Sequence, residues 1–250
     1  MQIPEGKKIY FSSDNHLGAP TAEESRPREQ KFVAWLDHVS EDAAAIFLLG
    51  DLFDFWFEYK HVVPKGFVRV LGKLAQLRDR GIPVYFFVGN HDLWMNDYFE
   101  KELNIPVFLR PKEFNFNGKT FLVGHGDGLG PGDKGFKRMK KVFTNPFAKG
   151  LYRWLHPDLG VPLAQYFSVK NRAISGEEDV EFLGEEGEWL IAYCRRKLET
   201  KHYDYFLFGH RHLPIDFQLK EDSKYINTGD WINFYTYAVF DGKELQLKEW

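Results

Sequence analysis

Residues 8–16 read KIYFSSDNH, a β-like run that ends in the polar motif Asp14-Asn15-His16. The same arrangement, an apolar run followed by a short motif rich in Asp, His or Asn, occurs four more times along the chain. The other motifs are Gly50-Asp51-Leu52-Phe53-Asp54, Gly89-Asn90-His91-Asp92, Gly124-His125-Gly126-Asp127 and Gly209-His210-Arg211-His212. Any one of these short sequences occurs by chance in unrelated proteins, so the joint occurrence of five in this order carries the information.

Short β-like runs alternate with longer segments whose apolar residues have helical spacing. Each motif follows one of the runs, which cover residues 9–12, 45–49, 84–88, 120–123 and 205–208. Residues 28–39 and 67–80 have the helical spacing, and Gly81-Ile82-Pro83 is a stop signal. The alternation predicts βαβ units and an α/β fold. Because loops at the carboxyl ends of strands in an open α/β sheet converge on one crevice, we expect the five motifs to meet there.

After Gly209 the pattern changes to short strands without intervening helices. These strands are predicted at residues 215–219, 224–227, 236–240 and 244–248, with Asp241-Gly242 as a hairpin turn. We expect them to form a second sheet that closes a sandwich. The last helix before them is predicted at residues 177–199. The whole chain, residues 1–250, is expected to form one domain.

Residues 134–172 differ in charge from the rest of the chain. They contain nine Lys or Arg residues and one acidic residue, Asp158, whereas the net charge of the chain is −3. Aromatic and aliphatic residues are interleaved with the basic ones, which predicts a helical cap inserted at about residues 133–176. A basic amphipathic stretch is typical of a surface for anionic lipid or another phosphate-bearing amphiphile. The alternative is an ordinary helical hairpin that docks on the core with its lysines in water.

The composition excludes several classes of protein. With 250 residues, 44% hydrophobic and 28% charged, the chain is neither disordered nor fibrous. A net charge of −3 argues against general nucleic-acid binding, which needs a strongly basic surface. The one cysteine, Cys194, allows no internal disulfide, and residues 1–8 lack the apolar stretch of a signal peptide. We expect a cytoplasmic protein, soluble or held peripherally at a membrane, without a membrane-spanning helix.

The motifs contain the residue types that a pair of divalent cations needs. Such a pair requires a bridging anionic ligand, hard oxygen donors, imidazoles and a water molecule as the nucleophile. Asp14 and His16 are two residues apart at a strand exit and can bind one ion. Asp51 follows a glycine that permits a tight turn and is placed to bridge both ions. The remaining candidates are Asn90, His125 and His210 for the second ion and His212 for the first. For each residue alone, the alternative is a polar side chain satisfied at a strand end.

The five motifs and their order resemble the calcineurin-like metallophosphoesterase superfamily over nearly the whole chain apart from the cap. This resemblance implies a four-layer αββα sandwich with the helical cap as an insertion. The ligands that it implies are Asp14, His16, Asp51 and His212 for one metal, and Asp51, Asn90, His125 and His210 for the other. It also implies catalytic roles for Asp51 and for His91, which would contact the phosphoryl oxygen or protonate the leaving group. Asp54 and Asp92 would fix the orientation of the ligands.

A narrower resemblance is to the UDP-2,3-diacylglucosamine pyrophosphohydrolase family of lipid A biosynthesis. It rests on Gly50-Asp51-Leu52-Phe53-Asp54-Phe55-Trp56, on His125-Gly126-Asp127 and on the basic helical cap. It implies a lipid-linked nucleotide substrate, whose pyrophosphate is cleaved to UMP and 2,3-diacylglucosamine 1-phosphate. The metal is typically manganese, with iron or zinc as alternatives, and the cap binds the acyl chains. The enzyme would act at the inner face of the bacterial cytoplasmic membrane, in peripheral contact with anionic lipid through the cap.

The narrower resemblance also implies substrate contacts, and the chain departs from its pattern at two places. The contacts implied are Asn90, His91, Asp133, Ser168 and Asn171. His91 stands where these enzymes commonly have arginine, and Asn227-Thr228-Gly229-Asp230-Trp231 is unusual. An enzyme acting on another phosphorylated lipid, nucleotide or phosphodiester is therefore an alternative. A non-catalytic scaffold that has lost its metals is a second alternative, although all seven candidate ligands are present, and an RNA-binding cap is a third. The sequence leaves the oligomeric state open.

Overall fold

The computed structural model describes residues 1–130, 134–175 and 181–250, with the backbone alone for residues 134–136, 138–139 and 167–175. Its strands form two sheets. In spatial order, the first sheet contains β11 (Leu245–Glu249), β10 (Thr236–Phe240), β1 (Lys8–Ser12), β2 (Ala43–Leu48), β3 (Val84–Phe87) and β4 (Val107–Phe108). The second contains β5 (Lys112–Phe116), β6 (Lys119–Val123), β7 (Tyr205–Phe208), β9 (Ser223–Thr228) and β8 (Pro214–Lys220). Strands β1 to β4 are parallel to one another, and so are β6, β7 and β9.

Helices cover the outer face of each sheet. Helices α1 (Ala22–Val39) and α2 (Val68–Asp79) pack on the first sheet, where Phe32, Trp35 and Leu74 join its buried residues. Helix α8 (Trp189–Leu198) packs on the second sheet through Leu190 and Cys194. Between the sheets lies another core, rich in phenylalanine. The expected four-layer αββα sandwich is therefore confirmed.

The sequence of β1 shows why the first sheet is buried on both faces. Successive side chains of a strand point to opposite faces. Ile9 and Phe11 point into the core between the sheets, whereas Tyr10 faces α1, where its ring centre lies 6.3 Å from that of Trp35. The run is consequently apolar throughout, as runs in parallel sheets covered on both faces usually are.

Three helices follow β6 and its motif: α4 (Lys134–Phe143), α5 (Pro146–Arg153) and α6 (Pro157–Ser175). We call residues 134–175 the helical segment. It packs on the loops that follow β2 and β3, where the rings of Phe57 and Trp94 lie 4.6 and 4.5 Å from the ring of Tyr152 on α5. Lys149 Nζ on the same helix donates to the carbonyl of Leu93 at 3.1 Å. Because these loops also carry two of the five motifs, the helical segment lies beside the motifs.

The distribution of strands between the sheets differs from the expectation. The four strands after Gly209 do not form one sheet, because β8 and β9 extend the second sheet whereas β10 pairs with β1 and brings β11 into the first. The residues of β10 are buried along its whole length, because β1 and β11 pair with its two edges and a hydrophobic core covers each of its faces. The hairpin turn predicted at Asp241-Gly242 is confirmed, since it joins the antiparallel pair β10 and β11.

The prediction of one continuous helix at residues 177–199 is wrong. Residues 181–183 are not helical, and α7 (Gly184–Gly187) is separated from α8 by Glu188, whose ψ of 95° is extended. Glu188 leaves the helical path while its carboxylate binds Arg211 in the interior. Residues 176–180 lie outside the described part of the chain. The short elements α3 (Tyr98–Glu102), β4 and β5 were not predicted.

Candidate metal centre

Loops from both sheets carry the five motifs to one place. The motifs after β1, β2 and β3 come from the first sheet, and those after β6 and β7 come from the second. Backbone hydrogen bonds join neighbouring loops within each sheet: the N–H of Asp14 donates to Gly50 at 3.0 Å, and the N–H of Gly209 donates to His125 at 2.8 Å. Between the sheets, the N–H of His210 donates to Asp14 Oδ2 at 2.9 Å. The motifs therefore lie together at the carboxyl ends of both sets of parallel strands.

The backbone of the site is held in unusual conformations. The φ angles of five candidate ligands lie between 44° and 69°, in the left-handed region: Asp14, His16, Asp51, His210 and His212. This conformation costs an L residue roughly 1–2 kcal/mol, and it persists only where the surrounding structure fixes it. Gly89 shows how tightly the loops pack, because a Cβ there would collide with the carboxylate and the backbone nitrogen of Asp51. Strain of this kind is concentrated at functional sites.

The first group of candidate ligands is Asp14, His16 and His212, whose ligand atoms lie within 4.8 Å of one another. His16 Nε2 lies 3.1 Å from His212 Nε2, and Asp14 Oδ1 lies 3.4 Å from the same nitrogen. Asp14 and His16 are buried, and His212 is partly exposed. Two imidazoles and one carboxylate thus point at a common centre.

The second group is Asp51, His125 and His210, whose ligand atoms also lie within 4.8 Å of one another. Asp51 Oδ2 is 3.3 Å from His125 Nε2 and 3.7 Å from His16 Nε2, so Asp51 lies between the two groups. Asn90 Oδ1 lies 3.1 Å from His125 Nε2 and adds an amide oxygen to the second group. The structure brings together all seven of the ligands that the sequence suggested.

The surroundings of two buried carboxylate oxygens indicate whether the site fits metal ions. Asp14 Oδ1 and Asp51 Oδ2 are buried, and within the described residues neither accepts a hydrogen bond of good geometry, since the nearest imidazole nitrogens lie 3.4 and 3.3 Å away. Burial acts to raise the pKa of Asp51, but the charges of His125 and His91 hold that pKa well below its usual value. A buried, ionised oxygen without a donor is costly unless a cation meets it. The residues therefore fit a pair of divalent metal ions, with oxygen and imidazole donors around Asp51.

The two histidines of the second group differ in their tendency to bind a proton. Burial alone would lower the pKa of His125, but the carboxylate of Asp51 raises this pKa to about 10. Burial, together with the charge of His125, lowers the pKa of His210 to about 4. His125 Nδ1 lies 2.8 Å from the carbonyl of Leu49, an acceptor, so Nδ1 donates. In the absence of a metal ion, His125 thus carries positive charge beside Asp51, and a cation bound at Nε2 would take the place of the proton on that nitrogen.

His91 lies at the rim of the site, with Asp54 behind it. The side chain of His91 is 17% exposed, and its ring stands edge-on to that of His16 at 4.6 Å. Its Nδ1 lies 2.8 Å from the carbonyl of Asp54, to which it therefore donates. The Asp54 carboxylate faces His16 Nδ1 at 3.4 Å, whereas Asp92 accepts from the N–H groups of residues 52 and 53. Asp54 thus touches a ligand ring, and Asp92 holds the loop that carries Asp51.

Three of the substrate contacts suggested by the sequence lie beyond what the structure describes. Asp133 is outside the described residues. Ser168 and Asn171 belong to α6. The structure describes only their backbone, so their side chains are outside the described part as well.

Sequence reasoning missed Asp230. This residue is fully buried, and its Oδ2 lies 3.6 Å from His212 Nδ1. Gly229-Asp230 follows the strand β9 in the same way that the five motifs follow their strands. That similarity was the signal by which the residue could have been found.

A family comparison agrees with this site. The model of the calcineurin-like phosphoesterase family matches residues 7–214 of the chain. The chain belongs to this family. Membership implies a hydrolase that uses divalent metal ions. The matched residues of this phosphoesterase contain all five motifs.

Individual proteins are similar to this phosphoesterase over most of its length. It is 40% identical to a UDP-2,3-diacylglucosamine hydrolase of Porphyromonas gingivalis, over 96% of this chain and 97% of the relative. It is 28% identical to a UDP-2,3-diacylglucosamine hydrolase of a Shewanella species, over 90% of this chain and 89% of the relative. Among solved structures, Vps29 of Chaetomium thermophilum is 12% identical with a TM-score of 0.47, over 96% of this chain and 85% of Vps29.

A helix that crosses a membrane needs about 20 predominantly apolar residues. Within the described residues, no helix of this phosphoesterase has the length and the apolar composition to span a bilayer.

Proposed function

We propose that the protein hydrolyses UDP-2,3-diacylglucosamine at its pyrophosphate and releases UMP and 2,3-diacylglucosamine 1-phosphate, a step of lipid A biosynthesis. The observation that carries the proposal is the pair of ligand groups that meet at Asp51. The substrate is chosen because the Porphyromonas gingivalis relative, 40% identical over 96% of the chain, bears the name of this activity.

The chain would hold two cations through its two ligand groups. The residues assigned are Asp14, His16 and His212 for one cation, Asn90, His125 and His210 for the other, and Asp51 for both. Divalent cations, for which we propose manganese with iron or zinc as alternatives, lower the pKa of water and stabilise charge on phosphoryl oxygens. Asp54 would support His16 and His91, and Asp92 would hold the Asp51 loop in place.

His91 would act on the phosphoryl group from the rim of the site. Its Nδ1 donates to the Asp54 carbonyl, so Nε2 is the nitrogen left to act on substrate. Burial lowers the pKa of His91, and a phosphate anion at the site would raise it again. A proton held at Nε2 in the presence of substrate can bond a phosphoryl oxygen or pass to the leaving group.

The helical segment would act as a cap over the acyl chains. The rings of Phe57 and Trp94, in the loops that carry Asp51 and His91, pack against the ring of Tyr152 on α5 and form an apolar wall between the sandwich and this helix. Lys140 of α4 pairs with Asp127 of the His125 motif. One contact with a motif and two contacts with motif-bearing loops thus connect the cap with the candidate metal centre. Ser168 and Asn171 on this segment, and Asp133 immediately before it in the sequence, remain the proposed substrate contacts.

The outer face of the helical segment would contact anionic lipid. On α5 and just beyond it, Phe147, Leu151 and Trp154 have the i, i+4, i+7 spacing of one helix face and are 84%, 74% and 91% exposed. Two basic residues are also exposed nearby in the sequence, Lys141 on α4 and Arg153 on α5. Large exposed apolar residues beside basic ones are typical of helices that lie in a membrane interface. We therefore place the enzyme peripherally at the inner face of the bacterial cytoplasmic membrane.

The experiment that tests the substrate compares two UDP-sugars. Purified protein with manganese is expected to release UMP from UDP-2,3-diacylglucosamine and not from UDP-N-acetylglucosamine, which lacks the long acyl chains. Equal turnover of both sugars would contradict a cap that selects acyl chains. Absence of turnover of both would contradict the proposed substrate.

A second candidate is a phosphoesterase for another phosphorylated lipid, nucleotide or phosphodiester. The observation that favours it is His91, which stands where the diacylglucosamine enzymes commonly have arginine. Hydrolysis of bis(p-nitrophenyl) phosphate without hydrolysis of UDP-2,3-diacylglucosamine would support this candidate and leave the metal centre in place.

A further inference from the structure

Asp230 faces the back of His212, one of the candidate ligands. Asp230 Oδ2 lies 3.6 Å from His212 Nδ1. The other ring nitrogen, Nε2, points into the ligand group, 3.4 Å from Asp14 Oδ1 and 3.1 Å from His16 Nε2. We propose that Asp230 is a positioning residue that keeps the proton of His212 on Nδ1 and thereby turns the Nε2 lone pair to the metal. The inference rests on the proposed metal centre.

The chain holds the Asp230 carboxylate rigidly. Its Oδ1 accepts from the N–H groups of Ile232, Asn233 and Phe234 at 3.1, 2.8 and 3.1 Å. The other oxygen, Oδ2, accepts from the side-chain amide of Asn233 at 3.4 Å and faces His212 Nδ1 at 3.6 Å. The N–H of Trp231, the next residue, donates to the Asp14 carbonyl at 3.1 Å, so the same turn is attached to the first ligand group.

Two other histidines of the site show the same arrangement. His16 Nδ1 lies 3.4 Å from Asp54 Oδ1, and His125 Nδ1 lies 2.8 Å from the carbonyl of Leu49. In both histidines, the other ring nitrogen, Nε2, faces Asp51. An oxygen at Nδ1 holds the proton there and leaves Nε2 to bind a cation, the usual arrangement of a histidine and its supporting acceptor at metal sites. Asp230 supplies that oxygen for His212.

The substitution D230N tests the proposal with little change in shape. The amide oxygen can keep the three backbone hydrogen bonds of Oδ1, and the NH₂ group then replaces Oδ2 opposite His212 Nδ1. A donor at this place cannot hold a proton on Nδ1. Manganese affinity, measured by titration with detection of free Mn²⁺ by electron paramagnetic resonance, is expected to fall by about 10–100-fold. Unchanged affinity in D230N would overturn the proposal.

Asp241 offers a matched control. Its Oδ1 accepts from the N–H groups of Lys243 and Glu244, both at 2.8 Å, in a turn at the β10–β11 hairpin. D241N therefore makes the same chemical change in a similar turn without a histidine opposite. Its manganese affinity is expected to equal that of the wild type. A similar loss in D241N would show that the effect of D230N is not specific to His212.

The H212A variant separates this proposal from the metal centre itself. If H212A binds manganese as the wild type does, His212 is not a ligand and the assignment of the centre fails. If H212A binds weakly and D230N binds normally, the role of Asp230 alone fails. Since Asp230 acts through His212, D230N is expected to cause no further loss of affinity in the H212A background, and additive losses would contradict this.

The tautomer of His212 can also be read in the wild-type protein, should D230N fail to fold. Zinc-loaded protein labelled with ¹⁵N in histidine is expected to show a protonated Nδ1 and a metal-bound Nε2 for His212. A protonated Nε2 would overturn the proposal.

Discussion

Arg211 and Glu188 form a buried, bidentate ion pair in which Nε and a terminal nitrogen of the guanidinium each lie 3.0 Å from a carboxylate oxygen. The side chain of Arg211 is 4% exposed and that of Glu188 is 0% exposed. Arg211 also donates to the carbonyl of Glu181 at 2.7 Å. Because Arg211 stands between His210 and His212, the pair joins the loop of two candidate ligands to the chain that follows the helical segment.

Removal of the Glu188 carboxylate is expected to destabilise the fold strongly. E188A removes the buried carboxylate that binds Arg211 through two hydrogen bonds, and removal of one member of a buried ion pair costs about 3–5 kcal/mol. The matched control is D216A, which removes a 40% exposed carboxylate paired with Lys224 and is expected to cost about 0–1 kcal/mol. The free energy of unfolding from urea titration checks both values. A loss of less than about 1 kcal/mol in E188A would show that the buried pair contributes little.

A methyl group at Gly89 is expected to disable the metal centre. In G89A the new Cβ would meet the Asp51 carboxylate and its backbone nitrogen, so Asp51 has to move away from its place between the two ligand groups. Manganese binding and hydrolysis should both be lost, as isothermal titration and a UMP assay would show. The control is G72A on α2, where a Cβ meets nothing within 4 Å and alanine favours the helix by up to about 1 kcal/mol. Manganese binding by G89A at wild-type strength would contradict the assigned role of Asp51.

Manganese uptake is expected to release a proton from His125. The Asp51 carboxylate raises the pKa of this residue to about 10 against the effect of burial, so His125 carries a proton at neutral pH that a metal ion has to displace. Affinity should therefore increase as the pH rises towards about 10. Calorimetric titration at pH 7.5 in two buffers of different ionisation enthalpy checks the release. Identical heats in both buffers would exclude it, and H125A is expected to lack this contribution.

The exposed apolar residues of α5 are expected to support vesicle binding. The double variant F147S/W154S removes two large apolar side chains, each worth about 1.5–3 kcal/mol when fully buried, so affinity for vesicles containing phosphatidylglycerol should fall at least about tenfold. The affinity is measured as the fraction of protein that floats with the vesicles in a density gradient. V68S, at a 74% exposed valine on α2, is the control and should float like the wild type. Equal flotation of all three proteins would rule out this face as the lipid contact.

Much of the site could be predicted from the sequence because its signals are local. Each motif follows a short apolar run, and Asp14 and His16 lie two residues apart at the end of one such run. The parallel strands then carry the motifs to one end of the sheets, as the general rule for α/β folds requires. The layer order follows from the same runs, since Phe11 and Phe47 are buried on one face and Tyr10 and Ile46 on the other.

The remaining features depend on partners far away in the chain. Nothing within β10 indicates that it pairs with β1 rather than with β9, because both places bury an apolar strand. Glu188 lies in a stretch with helical pattern, where a glutamate is expected to face water, yet it breaks the helix and binds Arg211. The role of Asp230 likewise depends on His212, 18 positions earlier.

The most direct test of the central claim is the rate of UMP release from UDP-2,3-diacylglucosamine by protein that has been stripped with a chelator and then reloaded with manganese. The wild type is expected to be inactive when stripped and to recover on reloading. D51N is expected to remain at least about 100-fold slower at saturating manganese, since even residues that only support a metal ligand contribute about 10–100-fold. Full activity of the stripped protein, or a D51N variant as fast as the wild type, would contradict a hydrolase whose two metal ions meet at Asp51.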